Sequence, residues 1–126
     1  MNLGVLGFPA HRPEPGRPGI RALVKFDGTA PAGGAGFHLD ASAIKLAYNV
    51  SRILYNGTGD YTIYFTDPMP TEHFISLLSA RQGGGGRGIC DINSADLGRA
   101  DQKRLDIFNA TPTPVNSTEV CAVFIA

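Results

Sequence analysis

The sequence predicts an all-β fold, an antiparallel, jelly-roll-like β-sandwich with an extended N-terminal arm. Two observations carry that reading. Short runs rich in Val, Ile, Thr, Tyr and Phe alternate apolar with polar side chains at the period of two that a half-buried strand requires. Sixteen glycines and nine prolines, well above ordinary use, fall between those runs and divide the chain into short strands and turns. At 126 residues, 43% hydrophobic and 17% charged, the chain suits one domain with one core.

The first twenty residues differ from the rest. Leu3, Val5, Leu6 and Phe8 make a short apolar start, and Pro9, Pro13, Pro15 and Pro18 follow it. Proline at that density keeps a chain extended and removes amide donors, so residues 1–20 are expected to form an arm beside a sandwich spanning 21–126. An apolar tip of this kind has no obvious use in a free monomer. Leu3, Val5, Leu6 and Phe8, with His11, Arg12 and Arg17 as additional donors, are therefore the candidate partner-contacting residues.

From Arg21 the period of two begins. Ala22, Val24 and Phe26 face one way and Asp27-Gly28-Thr29 ends the strand; Pro31 to Gly36 reads as a loop. Ile44, Leu46, Tyr48 and Val50 alternate with polar or small residues, and Ile53 and Tyr55 continue the apolar series. Asn56-Gly57-Thr58-Gly59-Asp60 then supplies two glycines able to reverse the chain, with Tyr61, Ile63 and Phe65 on the returning strand. Asp67-Pro68-Met69-Pro70 breaks that strand, and Phe74 to Ala80 reads as another. The run Gly83 to Gly86 precedes a short apolar segment around Ile89 and Ile92. Residues 93–103 are polar and predict a loop with one short helix capped by Asn93 or Ser94. Leu105, Ile107 and Phe108 resume strand character, Thr111-Pro112-Thr113-Pro114 interrupts it, and Val120 to Ile125 forms the last strand. Val24, Phe26, Ile63, Phe65, Val123 and Phe124 are the expected core.

Charge and motifs exclude more than they assign. Eleven basic residues balance eleven acidic ones. Such a chain builds no broad positive field for nucleic-acid phosphates, and its zero net charge removes one defence against self-association. Cys90 and Cys121 each sit in an apolar run, which predicts buried free thiols in place of a disulfide. The apolar start lacks a basic flank and no segment is long enough to span a membrane, so synthesis in the cytoplasm and no membrane insertion are expected. The N-x-S/T triplets at Asn49, Asn56, Asn109 and Asn116 read as strand and turn residues.

Gly83, Gly85 and Gly88 match G-x-G-x-x-G, but the strand-like Ile89-Cys90-Asp91-Ile92 stands where a dinucleotide site needs a helix. The phosphate-binding loop fails too, because Ile89 and Cys90 occupy the Lys and Ser/Thr positions. Asp91, Asn93 and Asp96 offer oxygens without a calcium loop's spacing, and His11, His38 and His73 have no metal-ligand neighbours. No nucleophile elbow is present. Catalytic, cofactor and metal residues are accordingly assigned as none, and an enzyme is not expected. Tyr48, Tyr55, Tyr61 and Tyr64 cluster about the central hairpin, where exposed aromatics could stack on sugar rings or fill a partner's pocket.

Several stretches together resemble a β-domain that recurs in tail-fibre-like and other virion structural proteins of marine and aquatic bacteriophages. They are Ala22 to Thr29, Tyr48 to Ile53, Asn56 to Thr66, Met69-Pro70 and Val120 to Phe124, in that order over residues 21–126. That family often has Trp where Leu23 stands, and a longer Gly-rich insertion precedes Ala43 here. The resemblance implies a structural virion role and a homotrimer, without catalytic residues. The expected role is a capsid decoration or cement protein on the outer surface of the virion, made in the bacterial host cytoplasm and contacting other virion proteins such as the major capsid protein. A tail-fibre or tail-spike tip that binds a host surface glycan is the alternative, and a carbohydrate-binding module the second. A fibre tip usually needs an attachment domain and a shaft, which favours decoration for so short a chain.

Overall fold

The computed structural model describes residues 17–29, 33–81, 87–111 and 113–126. Nine strands account for most of them: β1 (Ile20–Phe26), β2 (Phe37–His38), β3 (Ile44–Tyr48), β4 (Val50–Gly57), β5 (Asp60–Phe65), β6 (Ile75–Arg81), β7 (Arg87–Ile92), β8 (Gln102–Phe108) and β9 (Glu119–Ile125). A three-residue 3-10 turn, Ala41–Ala43, leads into β3. The fold is all-β and antiparallel throughout. In place of two sheets, the strands form one continuous nine-stranded sheet in the order β2-β4-β5-β8-β7-β6-β9-β1-β3.

The sheet curls so that its two halves face each other across a single core. Period two decides which residues enter it. Ala22, Val24 and Phe26 of β1 are buried, as are Tyr61, Ile63 and Phe65 of β5, Leu105 and Ile107 of β8, and Val120, Ala122 and Phe124 of β9. Aromatic rings bridge the halves: Phe26 meets Tyr61 edge-on at 5.2 Å between centroids, and Phe65 meets Phe124 at 4.9 Å. Such pairs contribute about 1 kcal/mol each beyond the area they bury. Phe124, not Val123, points inward. Both were expected in the core, but successive strand residues face opposite sides, and Val123 lies on the outer surface.

Gly59 and Gly28 are dictated by close approach. Gly59, at the tip of the β4–β5 hairpin, has a φ of +68°, and a Cβ there would lie 2.4 Å from the carbonyl oxygen of Ile107. A Cβ on Gly28 would lie 2.4 Å from the Tyr61 hydroxyl. That hydroxyl is buried, 2.6 Å from the Gly28 carbonyl oxygen and 3.0 Å from Asn116 Oδ1. Burial is the main reason its pKa is raised above the ordinary tyrosine value.

Residues 93–101 contain no helix. Asn93 Oδ1 instead accepts the Ala95 N–H at 2.7 Å, a side-chain turn that closes before a helix can start, and the chain passes through Gly98, with a φ of +65°, and a turn at 100–101 into β8. Strand β8 begins at Gln102, three residues before the apolar signal at Leu105. The expected strand over 44–50 is divided at Asn49, whose φ of +56° turns the chain out of β3 and into β4. Within the segment assigned to the arm, Ile20 is the first residue of β1, and Gly19 already exchanges backbone hydrogen bonds with Ala126 at 3.0 and 3.1 Å. Leu3, Val5, Leu6, Phe8, His11 and Arg12, like the Gly83 to Gly86 run, lie outside the described residues.

Candidate interaction surface

Strands β3, β1, β9 and β6 are neighbours in one half of the sheet, and their register fixes what its outer surface presents. Residues paired across strands share a face. Tyr48 pairs with Leu23, Leu23 with Val123 and Val123 with Leu77, a row of four apolar side chains across four strands. A second row runs from Ile20 to Ile125 to Ile75. Leu46 begins a third, which continues through Lys25 and Cys121 to Ser79. Leu46, Tyr48, Ile75 and Leu77 each keep between 54% and 58% of their surface in solvent. Scattered exposed apolar residues are ordinary, but two contiguous apolar register rows with Leu46 beside them make this face a candidate interaction surface. Lys25, in the third row, pairs with Glu119 at 3.2 Å and gives that margin of the face charge.

An open cavity of about 500 Å³ lies at one margin of this face, between Tyr48, Arg21 and the turn Thr66-Asp67-Pro68. Asn49 builds its wall. Its Nδ2 donates to the carbonyl oxygens of Arg21 and Asp67, both at 3.0 Å, and its Oδ1 accepts the Asp67 N–H at 2.7 Å. One side chain thus ties β1 to the end of β5, and its amide is engaged in structure. Arg21 Nε donates to the carbonyl oxygen of Ala126 at 3.0 Å, which holds the guanidinium at the cavity.

On the outer surface of the other half, β4, β5 and β8 carry a polar network, while Ile89 of β7, opposite Phe108, is exposed beside it. Asp60 and Arg104, on adjacent strands, form a two-pronged ion pair at 2.7 and 2.9 Å. Asn56 Nδ2 donates to Asp60 Oδ1 at 3.1 Å and to the Thr62 hydroxyl at 2.8 Å, and Asn93 Nδ2 donates to Asp106. The Arg104 guanidinium, with help from Asn56, holds the Asp60 carboxyl below its usual range against the opposing effect of burial. Burial raises Asp106, which stands directly opposite Asp60. Arg52 lies over the Tyr64 ring at 4.3 Å.

Possible metal-ligating oxygens are engaged by protein donors. Asp96 accepts from Lys103 Nζ at 2.9 Å, from the Arg104 N–H at 2.7 Å and from the Gly98 N–H at 3.1 Å, while Asp91 accepts the Ile92 N–H. Burial works against the Asp96 charge, but these donors outweigh it and lower its pKa. Among the described residues no group of three or more His, Cys, Asp or Glu side chains could hold a metal. Cys90 packs against the core while Cys121 faces outward, and both thiols are free. Each is half-buried, less enclosed than its apolar run suggests.

Of the tyrosines, Tyr55 and Tyr61 belong to the core, Tyr64 is half-buried beneath Arg52, and Tyr48 alone of the four is strongly exposed. Among the candidate partner-contacting residues, Arg17 is within the described structure, exposed in the bend before β1. Leu23, Leu46, Leu77 and Val123 were not singled out as contacts from sequence. The available signal was the surplus of apolar residues on both faces of β9 and β6. Comparison with family models, with curated proteins and with solved structures returns no match to this chain.

Proposed function

We propose that this protein is a structural component of a bacteriophage particle, a capsid decoration or cement protein that assembles with itself as a trimer on the outer shell. The observation that carries the reading is the contiguous apolar face on β3, β1, β9 and β6, which a free monomer would leave in water at a cost of roughly 25 cal/mol for each Å². A symmetric assembly covers such a face in every copy at once. Zero net charge offers no electrostatic resistance to close approach of identical copies. The particle context rests on the resemblance read from the stretches Ala22 to Thr29, Tyr48 to Ile53, Asn56 to Thr66, Met69-Pro70 and Val120 to Phe124 of the sequence alone.

Light scattering of the purified protein at micromolar concentration tests the assembly, with a trimer expected and a stable monomer counting against it. Counting copies in purified particles tests location: hundreds of copies support the shell, whereas a dozen or fewer support the tail. A second reading, a tail-fibre tip or carbohydrate-binding module, is favoured by the cavity that sets the exposed Tyr48 ring beside Arg21 and Asp67. A Tyr48→Ala variant that loses glycan binding while keeping its oligomeric state would support it.

A further inference from the structure

We propose that the apolar face of β3, β1, β9 and β6 seats the N-terminal segment, residues 1–8, of a second copy of this chain; the inference rests on the self-assembly proposed above and names what covers the face. Position is the first argument. β1 starts at Ile20, and Ile20, Ile125 and Ile75 form the first apolar row, so the chain that precedes β1 departs from the border of this face. Chemistry is the second. Met1 to Ala10 carries no charged side chain and supplies Leu3, Val5, Leu6 and Phe8, a match for the uncharged row Tyr48-Leu23-Val123-Leu77.

Reach is the third argument, and it puts a neighbouring copy within range. Gly19 is fixed by its hydrogen bonds to Ala126, so residues 9–18, with Pro9, Pro13, Pro15 and Pro18, connect the apolar segment to the domain. At the roughly 3.1 Å per residue of an extended proline-rich linker, ten residues can span up to about 31 Å. The three rows cover only about 14 Å along the strands, and the four strands about 15 Å across. A connector with about twice the extent of the face is long enough for its tip to meet the same face on a neighbouring copy. Reciprocal exchange of such segments closes a ring of identical contacts, as a cyclic trimer requires.

The experiment uses the full chain with Phe8→benzoylphenylalanine, a photo-crosslinking side chain, prepared as a mixture of nitrogen-14 and nitrogen-15 copies. After illumination, mass spectrometry is expected to find adducts on peptides carrying Leu23, Tyr48, Leu77 or Val123, with mixed-label adducts as abundant as same-label ones. Leu77→Glu should lower their yield about tenfold. Adducts confined to a single label, adducts on the polar outer surface of β5 and β8, or none at all would overturn the inference. Sedimentation of the same sample separates the two claims: a trimer without adducts on this face refutes the seat and leaves self-assembly standing, whereas a monomer refutes both.

Discussion

Two patches on the outside of the curled sheet share one backbone architecture and differ in chemistry. On β4, β5 and β8, Asn56, Asp60, Thr62 and Arg104 satisfy one another through direct hydrogen bonds. On β3, β1, β9 and β6 a row of register-paired outward positions holds Tyr48, Leu23, Val123 and Leu77. A polar surface whose groups are already paired gains little from a partner, because each contact would replace a bond that exists. An apolar surface gains with every Å² covered. The contrast makes the paired patch a contributor to stability and the apolar one the place for the proposed association, and each can be tested separately.

The largest expected effect is on association. Leu77→Glu places a charge at the β6 end of the central apolar row and should weaken the proposed self-assembly at least about thirty-fold, with the unfolding midpoint little changed because the side chain is exposed. Analytical ultracentrifugation beside thermal unfolding reads both; a large fall in midpoint would mean that the face serves the fold. Next comes Arg104→Ala, which removes both prongs of the pair with Asp60 and leaves Asp60 facing Asp106 without a cation between them. A loss of about 2 kcal/mol in urea unfolding is expected, with association unaffected.

Asp60→Asn should cost less, about 1 kcal/mol at pH 7, and its effect depends on pH. Because the folded-state pKa of Asp60 is lowered, its contribution is complete above the unfolded value near 4 and is lost as pH falls through the folded value. Wild type and variant should therefore converge in parallel urea titrations once the pH has fallen through that lowered folded value. Asp106, raised by burial, acts in the opposite sense and shallows the wild-type acid limb. The smallest effect concerns Cys90, whose thiol burial pushes up to about 12, with Asp91 and Asp106 adding to the shift. Iodoacetamide at pH 8 should modify it at least about a hundredfold more slowly in the folded protein than in urea, as judged by peptide mass spectrometry.

Much of the strand content was legible because alternation is a local signal. Tyr61, Ile63 and Phe65 announce β5 and its buried face, and the glycines after Asn56 announce the hairpin. In β9 the run Val120 to Ile125 is apolar at every position, so period two could not decide between Val123 and Phe124. The partner strands decide instead: β1 and β6 pair with β9 so that Phe124 lies with Ala22 and Ser76, on the side facing Phe65. The same limit hid the candidate interaction surface. Leu23, Tyr48, Leu77 and Val123 are dispersed over a hundred residues of sequence and become neighbours only through register. The helix expected after Asn93 failed for a different reason: the residue that caps a helix also closes a tight turn, and here the turn was formed.

The pairing of β1 with β9 also bears on how the chain is made. β1 needs β9 on one side to complete its hydrogen bonding, and the strands are separated by nearly the whole described sequence, from Phe26 to Glu119. At a translation rate of 5–20 residues per second, β9 follows β1 out of the ribosome after about 5 to 20 s. Throughout that interval Val24 and Phe26 have no partner from Val120, Ala122 or Phe124, and the core cannot close. Long-range closure of this kind gives slow folding, on the order of milliseconds to seconds once the last strand is present. Slower translation of the segment between β1 and β9 would lengthen the exposure, so recovery of soluble protein should respond to synthesis rate even when the sequence is unchanged.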